Sequence, residues 1–218
     1  MIFYDFIDIG INTENDNKNK KGIIIEPIKY LLDIFVNNKN SIKLNMNISD
    51  YESKNEMIYT TTLYQIMLNL NIDGVYCLNL NLYKDNLKLL KSFFEENRNN
   101  RYLPHIILCK YEDISIFTIN HYYDLIFENY YYKLKLNLTK IKNKKKLSKL
   151  IKHYYFDNHD NDDNNDNNDS YDDYEEAKEY CIKNNCSGIS YYNNKYQVKT
   201  SKYLSYDENI DIYSWIYI

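Results

Sequence analysis

At 218 residues and 26.5 kDa the chain has room for one full domain and a smaller appendage, with a core of ordinary size. A formal net charge of -4 and a pI near 5.6 argue against a generally basic nucleic-acid surface, and no stretch approaches the ~20 apolar residues that a membrane helix needs. Asn, Lys, Ile and Tyr dominate, with 26 Tyr against four Gly and two Pro; this indicates a coding bias toward A and T, so Asn-rich runs carry little functional weight by themselves.

Residues 3–9 form an apolar run that ends at Gly10, and residues 22–25 form another that ends at Glu26 with Pro27 behind it. Runs of this kind read as buried parallel strands, which are apolar on both faces. Pro27 suits the first position of a helix whose apolar face is predicted at Ile28, Leu31, Leu32 and Phe35, before NNKN stops the pattern. A third strand is predicted near 43–48, a short extension at 57–59, a helix at 63–70, and a strand at 75–80 behind a turn at NIDG. Asp85 can cap the next helix, whose face carries Leu87, Leu90, Phe93 and Phe94.

After LPH, residues 106–109 read as another buried strand, and alternation at 122–127 and 131–138 predicts an antiparallel hairpin joined by ENY. Strands alternating with helices and closed by a hairpin predict a three-layer α/β domain with a mostly parallel, Rossmann-like sheet, ending near Lys140. Residues 141–173, first lysine-rich and then almost pure Asn and Asp, read as a charged, disordered linker. From residue 174 the composition recovers, and a short helix with two or three strands predicts a small α+β module over 174–218.

Most candidate ligand clusters have plain structural explanations. His105 and His121 lack a partner at metal spacing and read as structural histidines, and no metal is expected. FDNHDNDDNNDNND is rich in oxygen ligands but has neither the turn glycine nor the closing glutamate of a calcium loop. The lysines of IKNKKKLSKLIK read as a solvated face rather than a phosphate-binding stripe. Cys77 and Cys109 lie in apolar runs and are expected as buried thiols, whereas Cys181 and Cys186 sit together in a polar tail.

The functional signal lies in the first two strand ends. In an open parallel sheet, ligands bind beyond the carboxyl ends of the strands near the point where strand order reverses. An acid at the end of the second strand can accept from both hydroxyls of a ribose, while the loop after the first strand approaches the rest of a nucleoside. Gly10 is followed by INTEND, so the G-x-G-x-x-G needed at a dinucleotide pyrophosphate is missing. Either acid alone, Asp8 or Glu26, reads as loop solvation.

YDFIDIG, GIIIEPIKYLLD, KLNMNISD, NIDGVYCLNLNL and LPHIIL, in that order, resemble the successive strands of the FkbM-type S-adenosylmethionine-dependent methyltransferases, in the form carried by large DNA viruses of amoebae. The resemblance spans roughly residues 3–138, and EPIKYLLD is its most specific piece. It implies a Rossmann-like methyltransferase domain over residues 1–140, with S-adenosylmethionine as cofactor and Asp8, Gly10 and Glu26 at the cofactor site. It further implies transfer to a sugar or similar small-molecule hydroxyl, in the cytoplasm of a host or in a virion.

The chain departs from the family's I-D-x-E-G pattern after the fourth strand. Asn81 stands in place of the aspartate, Tyr83 of the glutamate and Lys84 of the glycine, and the next strand ends in Leu108-Cys109-Lys110 where a glutamate is usual. Asn81, Tyr83 and Asp85 are then either a remodelled transfer site or an altered loop with Asp85 as a helix cap. The segment between Asp50 and Thr62 is also shorter than the family's substrate-covering insertion. The alternative function is a catalytically inactive, methyltransferase-like interaction or virion-associated protein.

EEAKEYCIKNNCSGISYY is similar to the helix-then-strand core of PAN or apple-like modules, with Trp215 closing the core. That resemblance implies a carbohydrate- or protein-binding role for the tail. Cys181 and Cys186 are read as a bridge in an oxidising setting or as two thiols in a reducing one.

Overall fold

The two apolar runs at the start of the chain become strands β1 (Ile2–Ile9) and β2 (Gly22–Ile25), which lie side by side in parallel. They are buried on both faces, with Ile7, Ile9, Ile23 and Ile25 on one and Phe6 and Ile24 on the other, as strands covered by helices on two sides must be. The computed structural model describes residues 2–10, 20–35, 39–48, 53–54, 59–82, 86–97, 102–110, 122–128, 131–141, 151–152, 154–157, 169–206 and 211–216. They fall into two units, Met1–Lys135 and Leu136–Ile218.

In the first unit, helix α1 (Lys29–Phe35) starts two residues after Pro27, so Ile28 and Tyr30 stay exposed and Leu32 is the residue that packs on Phe6 and Ile24. Strand β3 (Ser41–Leu44) pairs in parallel with β2. The single strand predicted at 43–48 is interrupted at Asn45, whose amide donates to the carbonyls of Glu26 and Pro27. The chain resumes as β4 (Asn47–Ile48), which with β5 (Ser53–Lys54) and β6 (Tyr59–Thr61) makes a separate sheet in the order β4-β6-β5.

Thr62 caps helix α2 (Leu63–Asn69): its hydroxyl oxygen accepts from Gln65 N at 3.3 Å and donates to Glu96 Oε2 at 2.8 Å. The helix ends at Leu70 and at Asn71 with φ of 50°, and strand β7 (Ile72–Leu80) follows at once. The turn expected at NIDG is therefore displaced, because asparagine itself adopts the left-handed conformation and Ile72, Asp73 and Gly74 already belong to the strand. Helix α3 (Asn86–Glu96) buries Leu89, Leu90 and Phe93. Strands β8 (Ile106–Lys110), β9 (Tyr123–Glu128) and β10 (Tyr131–Leu136) complete the unit.

The central sheet has seven strands in the order β3-β2-β1-β7-β8-β10-β9. Strands β3, β2, β1, β7 and β8 are parallel neighbours, and β10 runs antiparallel to β8. The crossover from β2 to β3 moves one way along the sheet and that from β7 to β8 the other, so right-handed connections put α1 and α3 on opposite faces. The unit is α/β with a mostly parallel sheet.

The second unit is built on a five-stranded antiparallel sheet in the order β11-β17-β14-β15-β13, from β11 (Ile151–Lys152), β13 (Ser170–Tyr171), β14 (Gly188–Tyr192), β15 (Lys195–Lys199) and β17 (Tyr213–Ile216). Helix α4 (Tyr174–Lys183) packs Ala177 and Cys181 on Ile189 and Val198. Asp173 caps it, accepting from Glu175 N at 2.8 Å and Glu176 N at 3.1 Å. Strands β12 (Tyr154–Asp157) and β16 (Tyr203–Tyr206) pair separately, and Tyr154 O accepts from Ser214 Oγ on β17 at 2.7 Å.

Residues 151–152, 154–157 and 170–171, read from the sequence as linker, are strands of this second unit, which begins at Leu136 rather than at Tyr174. The period-two pattern of Tyr154 and Phe156, both buried on either side of Tyr155, is short and is flanked by lysines on one side and Asn and Asp on the other. Among the described residues four strands, rather than two or three, follow α4. Residues 142–150 and 158–168 lie outside the described residues.

Candidate functional site

Chain order runs from β1 through β2 to β3 and then returns past β1 to β7, so the sheet's switch point lies between β1 and β7. The crevice beyond the carboxyl ends of these two strands is where such sheets bind ligands. Gly10 stands there with φ of 75°, a conformation costly for any side-chain-bearing residue, and an added Cβ would come within 3.1 Å of Asn81 O. Gly10 N donates to Ile25 O at 2.9 Å, Asn81 N to Ile9 O at 2.8 Å, and Asn81 Nδ2 to Gly10 O at 3.3 Å. Three strand ends, β2, β1 and β7, are thereby joined in a row.

Glu26 follows β2 directly and is buried. Its Oε1 accepts from Ile28 N at 3.0 Å, its N donates to Leu44 O at 3.1 Å, and Asn45 holds its carbonyl at 3.0 Å. The carboxylate is thus fixed to the edge by a turn anchored from three directions. Glu26 also serves the entry to α1, a structural task that needs no ligand.

Asp8 sits two residues inside the edge, pointing to the same sheet face as Phe6. Parallel register pairs it with Asn79, whose amide donates to Asp8 Oδ1, and Cys77 Sγ donates in turn to Asn79 Oδ1 at 3.2 Å. Burial, reinforced by the negative charge of Asp8, pushes the half-buried Cys77 thiol up to about 12, against the opposing pull of Lys20 and Lys133. Cys77 is accordingly a neutral donor rather than a nucleophile.

Of the residues named from the sequence, Asp8, Gly10, Glu26 and Asn81 come together at one edge, with the Asp8 side chain directed to β7. Tyr83 and Asp85 lie outside the described residues, as does His121. Asn79 and Cys77 were not singled out for the site, although CLNLNL carries the signal: alternate residues 77, 79 and 81 form a polar row in an apolar run. His105 is buried beside Tyr76, with ring centroids 6.1 Å apart, and burial lowers its pKa to about 4. Its Nδ1 makes no hydrogen bond among the described residues. Among those residues no group of three His, Cys, Asp or Glu side chains is placed to hold a metal ion, and no helix is long and apolar enough to cross a membrane.

In the second unit Cys181 and Cys186 are thiols, both buried in the core. Trp215 packs against that core, its ring 5.0 Å from Tyr174 and 5.9 Å from Tyr196. Compared with known proteins, the chain matches no family model, no curated protein and no solved structure.

Proposed function

We propose that the N-terminal unit is a diverged, FkbM-like S-adenosylmethionine-dependent methyltransferase acting on a sugar or similar hydroxyl. The observation that carries this reading is the switch point between β1 and β7, where Gly10 and Asn81 meet and Glu26 is held one strand away. The order of the five parallel strands is compatible with that of a Rossmann-like sheet, and the terminal hairpin read from the alternation at 122–127 and 131–138 places an antiparallel strand beside β8. A buried carboxylate fixed by a backbone N–H fits the ribose hydroxyls of the cofactor, and a glycine at the first strand end keeps the main chain open to a nucleoside.

S-adenosylmethionine, when bound, supplies an electrophilic methyl group. The chain's own contribution is to orient the nucleoside through Glu26 and Gly10 and to align an acceptor hydroxyl near Asn81, which is the larger part of such a transfer. Asp8 acts in this reading through Asn79, bracing β7 against β1. The sugar acceptor rests on the family resemblance alone.

Asn81 favours a second reading. Its amide is committed to Gly10 O and an amide is no base, while of the carboxylates described at this edge Asp8 is turned to Asn79 on β7 and Glu26 is assigned to the ribose, so this reading leaves neither of them to deprotonate an acceptor. The chain is then a catalytically inactive interaction or virion-associated protein that engages a carbohydrate or protein partner through its second unit. The core thiols Cys181 and Cys186 suit a reducing compartment such as a host cytoplasm in either case.

Calorimetric titration with S-adenosylmethionine and S-adenosylhomocysteine separates the readings. Micromolar binding that Glu26→Ala weakens more than about tenfold supports the cofactor site, since a charged hydrogen bond contributes about 1.5 to 3 kcal/mol. Equal affinity in the variant removes Glu26 from the pocket, and no binding by the intact chain leaves the interaction protein.

A further inference from the structure

The residue that opens α3 is Asn86, which is fully buried although it is polar. Its side-chain amide grips one residue of the preceding segment by both main-chain groups: Oδ1 accepts from Leu82 N at 3.1 Å, and Nδ2 donates to Leu82 O at 2.9 Å. Leu82 adjoins Asn81, which in turn holds Gly10 O at 3.3 Å and, through its N–H, Ile9 O at 2.8 Å. Hydrogen bonds on either side of the Asn81–Leu82 peptide link therefore connect the start of α3, through the segment that follows β7, to the left-handed glycine at the end of β1.

We infer that Asn86 is the positioning residue of the candidate cofactor edge, fixing the Asn81–Leu82 segment so that Gly10 keeps the conformation the edge needs. Two features argue for this over a simple helix cap. A cap satisfies orphan N–H groups of its own helix, whereas Asn86 spends both halves of its amide on the strand end. A carboxamide also carries its donor and its acceptor on two separate atoms, so it can meet the N–H and the C=O of one residue at once; an ionised aspartate has no donor, and a serine or threonine hydroxyl must do both from a single atom.

The same device recurs at the other end of α3 and serves as an internal control. Asn97, also buried, accepts from Tyr102 N at 3.1 Å and donates to Tyr102 O. Tyr102 leads into β8 and so belongs to the amino end of the parallel sheet, away from Gly10. Asn86 and Asn97 thus make matched clamps at opposite ends of the parallel strands, and only one of them lies at the end that carries the switch point.

The inference rests on the cofactor reading, and the experiment separates the two. S-adenosylhomocysteine is titrated into the intact chain, Asn86→Ala, Asn86→Asp and Asn97→Ala, with urea unfolding of each and amide hydrogen exchange at Leu82, Asn81 and Gly10. The expected result is an affinity loss of about tenfold or more in Asn86→Ala, a smaller loss in Asn86→Asp, which keeps the acceptor, and less than about twofold in Asn97→Ala at comparable stability. Faster exchange at Leu82 and Gly10 should accompany the loss in the Asn86 variants alone. Equal losses in Asn86→Ala and Asn97→Ala, or none in either, would overturn the positioning role while leaving the cofactor reading intact. No binding by the intact chain would overturn both, and rapid Leu82 exchange in the intact chain would overturn the clamp whatever the ligand does.

Discussion

Phe6 and Gly22 are register partners on neighbouring parallel strands, and the ring of Phe6 fills the volume in which a Gly22 side chain would stand. The contact lies on the sheet face that packs on α1, where Phe6, Ile24 and Leu32 form one cluster. Gly22→Ala is expected to destabilise the protein by roughly 1 to 3 kcal/mol, because a close-packed interior must move a whole ring to admit one methyl group. Urea unfolding measures it, and Phe6→Leu in the same chain should recover part of the loss. Equal midpoints for Gly22→Ala and the intact protein would mean that the ring is not held there.

His105 makes acid a specific threat to the fold. Its folded pKa is lowered from 6.5 to about 4 by burial, so the unfolded chain binds a proton more readily throughout that interval. The stability it secures is fully present above pH 6.5 and is lost progressively as pH falls toward 4, by an amount on the order of 3 kcal/mol. His105→Phe, placed beside Tyr76, should flatten the pH dependence of the urea midpoint between pH 7 and 4.5. A slope unchanged by the substitution would assign the acid sensitivity to other groups.

The parallel sheet was legible because its strands are written as apolar runs with a fixed order of helices between them, and burial on two faces leaves such a run few other uses. Glu26 and Gly10 were legible as strand ends for the same reason. The roles of Asn45, Asn79, Asn86 and Asn97 were not, since each depends on a partner brought close by the fold, and in a chain so rich in asparagine no single one stands out. Helix α3 shows what signal there was: residues 86, 89, 90, 93 and 97 share one helical face, so an apolar stripe is bracketed by an amide at each end. The β12 strand was hidden differently, by the charge runs on both sides of four residues.

Cys77 is half-buried, yet it should be a poor target for alkylation. With its pKa at about 12, only about one thiol in ten thousand is ionised at pH 8, and the thiolate is the reactive form. Mass spectrometry after timed iodoacetamide treatment at pH 8 should find Cys77 labelled far more slowly in the folded than in the urea-unfolded chain. Asp8→Asn removes a charge that raises this pKa and should speed the folded-state reaction several-fold, although burial, the larger cause, remains. Labelling at the rate of a free thiol would show that Cys77 does not lie in the buried setting beside Asp8 that the fold gives it.

Ser190 and Ser214 lie opposite each other on β14 and β17, both fully buried, with their hydroxyl oxygens 3.0 Å apart. Ser214 Oγ also donates to Tyr154 O at 2.7 Å, which uses its only proton, so Ser190 must be the donor in the pair. The direction of this chain predicts unequal costs. Ser214→Ala removes a donor from Tyr154 O and strands the Ser190 hydroxyl, a loss of roughly 1 to 3 kcal/mol, whereas Ser190→Ala leaves the bond to Tyr154 in place and should cost less. The double variant should be no worse than Ser214→Ala alone, because the stranded hydroxyl is then gone. Additive losses in urea unfolding would mean that the two serines act independently, and a larger loss for Ser190→Ala would reverse the direction of donation.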